Sequence, residues 1–275
     1  MLPHLECLIS AAQRLSLRYD FIDKNNDFVK IYIKDKTLNF IKNTTSFNTE
    51  DVSKICTDKS FTRQILNNAV NMPKTVDYID PLIAQEYKSY TKFQMYQEVA
   101  KDIEINFNFP IIIKPNSKTR GIHVYKAYNY NQILDSVQKI FNQNQINYDY
   151  VLLAQECLEI KEEYRVVVFN QSIVLNYLKD NSNAVFKDNL SPLHWDNSKA
   201  VEIIDIDFNQ KVQDFINPIF EQINVVFAGL DLVIDTNGKW WLIEINTFPG
   251  FRKFLENNPK SRLVQMYEDI LKNYV

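Results

Sequence analysis

Glycine is nearly missing from this chain: four among 275 residues, at Gly121, Gly229, Gly238 and Gly250. That scarcity excludes a loop of several glycines cradling an anion by backbone N–H groups alone, and predicts that each glycine present meets a specific backbone need. Cysteine is scarce too. Cys7, Cys56 and Cys157 are an odd, widely spaced set without metal-ligand spacing, which predicts free thiols in a reducing cytoplasm. Cys157 follows a predicted strand and reads as a structural cysteine ahead of a cleft-lining one. No apolar run approaches the roughly 20 residues that cross a bilayer. The N-terminal stretch MLPHLECLIS has neither a basic lead nor a small-residue cleavage site, so no membrane association is expected. Charge of one sign is lacking as well: 31 basic against 34 acidic residues, net -3. Neither nucleic acid nor an anionic membrane is indicated as a partner.

What remains is 45% hydrophobic residues, enough for a sizeable core and two or three small subdomains around one cleft. Asn142, Asn144 and Asn147 fill a loop, and there is no internal repeat. Residues 3–17 place Leu5, Leu8, Ile9, Ala12 and Leu15 on one helical face. Strands are expected at 18–22, 28–33 and 37–41, and helices at 61–70 and 85–101. A buried strand at 109–114 leads into a loop at 118–121. A strand at 123–126, a helix at 130–141 and strands at 150–155, 164–169 and 172–177 follow. The polar run 179–199 predicts a long surface loop. A helix at 211–226, strands at 229–234 and 239–245, and a helix at 261–274 complete an α+β pattern. Asn237-Gly238 predicts a tight hairpin with positive φ at both central positions.

That hairpin carries the strongest chemical signal. Asp231 lies on its first strand, and Glu244 and Asn246 share a face of the second. Three oxygen donors without nitrogen or sulfur suit a hard cation, Mg2+ rather than Zn2+. Carboxylates among Leu230, Leu232, Val233, Leu242 and Ile245 are unfavourable unless compensated. The alternative is that Asp231 and Glu244 face solvent on an amphipathic sheet, and strand parity leaves both open. Lys114, ending a buried apolar strand before a loop, suits an anion as readily as solvent.

The run from Asp231 through Glu244, Asn246 and Pro249-Gly250 resembles the C-terminal E-x-N-x-x-P-G metal motif of ATP-grasp enzymes. The resemblance continues upstream. Asp58-Lys59 with Thr62, Leu66 and Met72-Pro73 is similar to the start of the ATP-grasp domain in cyanophycin-synthetase and RimK-like ligases. Phe109-Pro110 through Lys114 resembles the strand whose lysine contacts nucleotide phosphates. It implies an ATP-grasp fold: residues 1–57 as a shortened N-terminal α/β subdomain, 58–275 as the ATP-grasp domain, a lid subdomain near 105–155 and a metal-binding one near 156–275. It also implies ATP and Mg2+ as cofactors, with Mn2+ as an alternative. Asp231, Glu244 and Asn246 would hold the metal. Lys59, Lys114 and Gly121 would meet the triphosphate, Glu156 and Leu158 the adenine, and Glu163 the ribose. Arg165, Arg120 and Lys118 would steady the developing acyl phosphate.

The first implied activity is a carboxylate–amine ligase acting through an acyl phosphate on an amino acid or peptide-like substrate. The partners would be small-molecule carboxylate and amine substrates, with a homodimer left open. The run Asn246-Thr-Phe-Pro-Gly-Phe is also similar to inositol trisphosphate 5/6-kinases, where a hydroxyl accepts phosphate. A non-catalytic ATP-binding module is a third reading, against which the intact acidic set stands. Gly229 replaces an arginine of D-alanine–D-alanine ligases and speaks against that activity. The short N-terminus points to a reduced or rebuilt carboxylate pocket. Arg252 reads equally as an anion grip or surface charge. His123 is expected to be packed rather than a base, and nothing fixes the geometry of His194.

Overall fold

The computed structural model describes residues 1–119, 121–186, 190, 193 and 195–275. Arg120 and His194, both singled out above, lie outside them. Helix α1 (Pro3–Arg14) starts with proline, whose fixed φ and missing N–H suit a first helical turn. It leads into an antiparallel meander of β1 (Arg18–Phe21), β2 (Phe28–Ile33), β3 (Lys36–Ile41) and β4 (Thr44–Thr45). Alternation of buried and half-buried residues along β2 puts Val29, Ile31 and Ile33 inside.

Two short helices follow, α2 (Glu50–Thr57) and α3 (Lys59–Leu66), in place of the one helix expected at 61–70. Asp58 caps α3 by accepting from the Phe61 N–H at 2.9 Å, which fixes the earlier start. The helix expected at 85–101 is also split. A 3₁₀ turn covers Gln85–Tyr90, and α4 (Tyr96–Asn106) begins only where Glu98 accepts from the N–H groups of Gln94 and Met95. A second antiparallel sheet joins β5 (Thr75–Ile79), β8 (Val151–Glu156), β6 (Ile111–Pro115) and β7 (Tyr125–Ala127) in that order. Helices α4 and α5 (Tyr130–Ile140) cover it around Val99, Ile103, Ile133 and Val137.

The third sheet holds the chemistry. Its order is β11 (Lys199–Glu202), β10 (Ser172–Asp180), β9 (Ile160–Phe169), β12 (Phe227–Asp235) and β13 (Trp240–Asn246), antiparallel throughout. One face presents Val166, Val168, Leu230 and Leu232 to α6 (Ile206–Gln222), which buries Val212, Ile216 and Ile219. The other face is divided. Toward one end, Val167, Phe169 and Phe227 pack with α1, the meander and α8 (Lys260–Lys272) in a single apolar cluster. Phe47 sits at its middle, with ring centroids 5.2 Å from Phe169 and 5.6 Å from Phe227. Toward the other end the same face turns polar and stands open.

The β12–β13 turn departs from the expected two-residue hairpin. Only Gly238 has positive φ, at +80°. The Asp235 carboxylate organises the turn instead, accepting from Asn237 N, Lys239 N and Trp241 Nε1, each at 2.9 Å. Short Asp and Asn side chains commonly bond the backbone two residues on in this way.

Candidate active site

Strand register decides the question that parity leaves open. Asp231 pairs with Glu244 across β12–β13 and with Arg165 across β12–β9, and Tyr177 pairs with Arg165 across β9–β10. Directly opposed residues share a face, so Asp231, Glu244, Arg165 and Tyr177 project together, with Glu163, Lys179 and Asn246 two residues along their strands. Yet Leu242, of the same parity as Glu244, packs in the core on the other face. The register shift between Asp231 and Leu232 reconciles them, inverting the alternation so that Glu244 faces the cleft.

Asp231 is almost fully buried and doubly bonded. Arg165 Nε donates to Oδ1 at 2.7 Å and Nη2 to Oδ2 at 3.0 Å, a bidentate pair. Lys179 Nζ lies 2.8 Å from the same Oδ1 and also bonds Glu163. Burial alone would raise the Asp231 carboxyl, but Arg165 and Lys179 outweigh it and hold the group below the usual carboxylate range. Glu163 moves the other way: burial pushes it up against the pull of Lys179. Arg165 has room because residue 229 lacks a side chain. A Cβ there would meet Arg165 Nη1 at 2.8 Å and Cδ at 2.9 Å.

Among the described residues Glu244 keeps only a long 3.9 Å contact with Lys59, its side chain 25% exposed. Asn246 Oδ1 accepts the Phe248 N–H at 2.9 Å, which leaves it one lone pair. Three oxygen groups without nitrogen or sulfur, two of them cross-strand carboxylates, would suit a hard divalent cation, although Asp231 is already paired with Arg165 and Lys179.

The second sheet forms the opposite wall of a cleft of about 1040 Å³. Lys114 is buried there, donating to Gln155 Oε1 at 3.0 Å. Burial, reinforced by neighbouring Lys59, lowers its pKa to about 8. Lys59 Nζ donates to the carbonyls of Asn116 (3.2 Å) and Lys118 (2.7 Å), while Ser60 N donates to Asn116 Oδ1. The loop after β6 is thereby rooted on the N-terminus of α3. Lys118 and Gly121 line the cleft, Gly121 with φ +68°. Glu156 and Leu158 line it where the sheets meet, and Glu156 Oε1 accepts from Lys74 N at 2.6 Å. Cys157 is half-buried and also lines it. His123 has φ +57° and a buried Nδ1 without a hydrogen-bond partner.

The far end is built by the N-terminal segment. His4, Asp27, Lys42 and Asn43 stand there beside Phe251, Arg252 and Lys253, the last two on α7 (Arg252–Asn257). Lys42, at φ +54°, donates its N–H to Asp27 O and accepts from His4 Nε2.

Every described residue that the resemblance assigned to metal, nucleotide or acyl phosphate lines one cleft: Lys59, Lys114, Lys118, Gly121, Glu156, Leu158, Glu163, Arg165, Asp231, Glu244 and Asn246. Lys179 escapes the sequence reading, which places it in a polar surface loop; β10 in fact runs to Asp180 and buries it to 3% exposure. The signal available is the alternation Leu175, Tyr177, Lys179, which continues the strand past its expected end.

Two α+β layers meet over this cleft, Lys114 on one and Asp231 with Glu244 on the other, as in an ATP-grasp fold. The chain belongs to the RimK-like ATP-grasp family, whose domain matches residues 58–267. It is 27% identical over 199 residues to a D-alanine–D-alanine ligase from a Nitratiruptor species, covering 64% of this chain and 55% of that one. It is 25% identical over 165 residues to the coenzyme gamma-F420-2:alpha-L-glutamate ligase of Methanocaldococcus jannaschii, covering 58% and 51%. The chain spans about half the length of these curated relatives. A bifunctional glutathione synthetase from Pasteurella multocida superposes on 99% of this chain and 43% of its own, with TM-score 0.59 and 14% identity, a likeness of fold. Among the described residues no helix is long and apolar enough to cross a membrane.

Proposed function

We propose that the cleft binds ATP with Mg2+, or Mn2+ in its place, and joins a carboxylate to an amine through an acyl phosphate, releasing ADP and phosphate. The observation that carries this reading is the pairing of Asp231 with both Glu244 and Arg165, opposite Lys114 and Lys59. Acids for a cation, fixed cations for phosphate and a guanidinium beside both meet in one space.

Asp231, Glu244 and Asn246 would hold the metal, which when bound neutralises phosphate charge. Lys114, Lys59 and Lys118 are set to meet the triphosphate, and Gly121 lets the loop backbone approach it. Glu156 and Leu158 would meet adenine through main-chain groups, and Glu163 would accept from ribose hydroxyls; all three line the cleft. Arg165 carries a permanent charge and would steady the negative charge that develops on an acyl phosphate. No nucleophile is required: the chemistry rests on positioning and fixed charge.

Lys42, Arg252 and Lys253 favour an anionic group on the substrate. The same cations suit a phosphorylated polyol, so phosphate transfer to a hydroxyl is the second reading. Incubation with ATP and Mg2+ separates them. ADP release that requires both a carboxylate and an amine supports the ligase, and labelled phosphate on a polyol supports the kinase.

A further inference from the structure

Asp231 stands in the metal-donor set, yet both its oxygens are already bonded by cations of the protein itself. Around it, Glu163, Asp231 and Glu244 pair with Lys59, Arg165 and Lys179, and Lys114 on the opposite wall adds a fourth cation that acts on Asp231 and Glu244. Lys179 is the most buried of the three cations that pair with these acids. Its side chain is 2% exposed, and it joins carboxylates from two different strands. A bare dication entering this face gains little from acids that are already paired. It would also give up part of a hydration shell that Mg2+ releases reluctantly.

We infer that Lys179 is a built-in counter-ion, itself anchored by Glu163, that keeps Asp231 from holding a divalent cation until a triphosphate brings the missing negative charge. The inference rests on the reading of Asp231, Glu244 and Asn246 as metal donors. Lys179 is then a positioning residue: it acts through Asp231 and sets the order in which metal and nucleotide arrive.

The test is Mn2+ binding to the full chain without nucleotide, read as loss of the free-ion electron paramagnetic resonance signal. Wild type should bind Mn2+ weakly. Lys179→Met should bind it about tenfold more tightly or better, because a unit charge within a few ångströms is worth several RT even at an effective dielectric near 20. Adding Asp231→Asn to Lys179→Met should cancel the gain, which assigns it to Asp231. Glu163→Gln, which leaves Lys179 to Asp231 alone, should show no gain. Lys179→Gln serves if Lys179→Met does not melt cooperatively. Tight Mn2+ binding by nucleotide-free wild type overturns the inference whatever the variants do. So does an unchanged affinity in folded Lys179 variants. Wild type with Mn2+ and a non-hydrolysable ATP analogue separates the two levels. No binding there removes the metal-site reading itself, whereas binding there without a gain in the Lys179 variants removes only the counter-ion.

Discussion

Arg165 lies across the bare α-carbon of Gly229: a methyl at that position would sit 2.8 Å from Nη1 and 2.9 Å from Cδ. The arginine reaches Asp231 from a neighbouring strand, and residue 229 is where the space for it is made. In a chain of four glycines, this one is explained by side-chain packing rather than by backbone conformation.

Gly229→Ala should therefore displace Arg165 while leaving the sheet intact. ATP turnover should fall by about tenfold or more, as when one fixed donor to a developing charge is lost. The melting temperature should fall only slightly. Kinetics beside thermal unfolding check this, and a large melting loss with turnover retained per folded molecule would show that Gly229 serves packing alone.

Lys114 makes a pH prediction. Its ammonium is favoured below about 8 in the folded protein, against 10.5 ordinarily. Nucleotide affinity should weaken as pH rises through 8, and Lys114→Met should bind about tenfold more weakly with little pH dependence. The folded pKa is depressed, so the unfolded chain holds this proton more tightly. The group's contribution to stability accordingly rises with pH between about 8 and 10.5. Isothermal titration at several pH values reads the affinity directly.

Much of this site is legible in the chain, because Asp231, Glu244, Asn246, Lys114 and Lys59 sit at motif spacings that local sequence records. What local sequence does not record is pairing. The register shift that turns Glu244 toward the cleft exists only once β12 and β13 have met. Lys179 reads as loop polarity because its two carboxylate partners come from β9 and β12. The strands of the N-terminal meander are readable one by one. Their burial against α8 and the third sheet is not, since those partners lie far along the chain.

Phe47→Ala tests that long-range packing. The ring touches Phe40, Phe169, Phe227 and Tyr274, and its loss should cost about 3–5 kcal/mol. If residues 1–47 are integral to the fold, chemical denaturation should remain a single transition shifted to lower denaturant. Two separated transitions would show a segment that unfolds by itself.

Arg252→Ala and Lys42→Ala address the substrate end. Each should raise KM for an anionic substrate severalfold, the scale of one charge-assisted hydrogen bond, and leave nucleotide affinity unchanged. An equal loss of nucleotide affinity would place the triphosphate at the wrong end of the cleft.

The central claim is a nucleotide–metal site between the two sheets, and thermal unfolding of wild type beside Glu244→Gln tests it most directly. With Mg2+ and a non-hydrolysable ATP analogue, wild type should melt several degrees higher by mass action, EDTA should remove most of that gain, and Glu244→Gln should show little of it. A wild-type melting temperature unmoved by nucleotide and Mg2+, or a full shift retained by Glu244→Gln and insensitive to EDTA, would contradict the account.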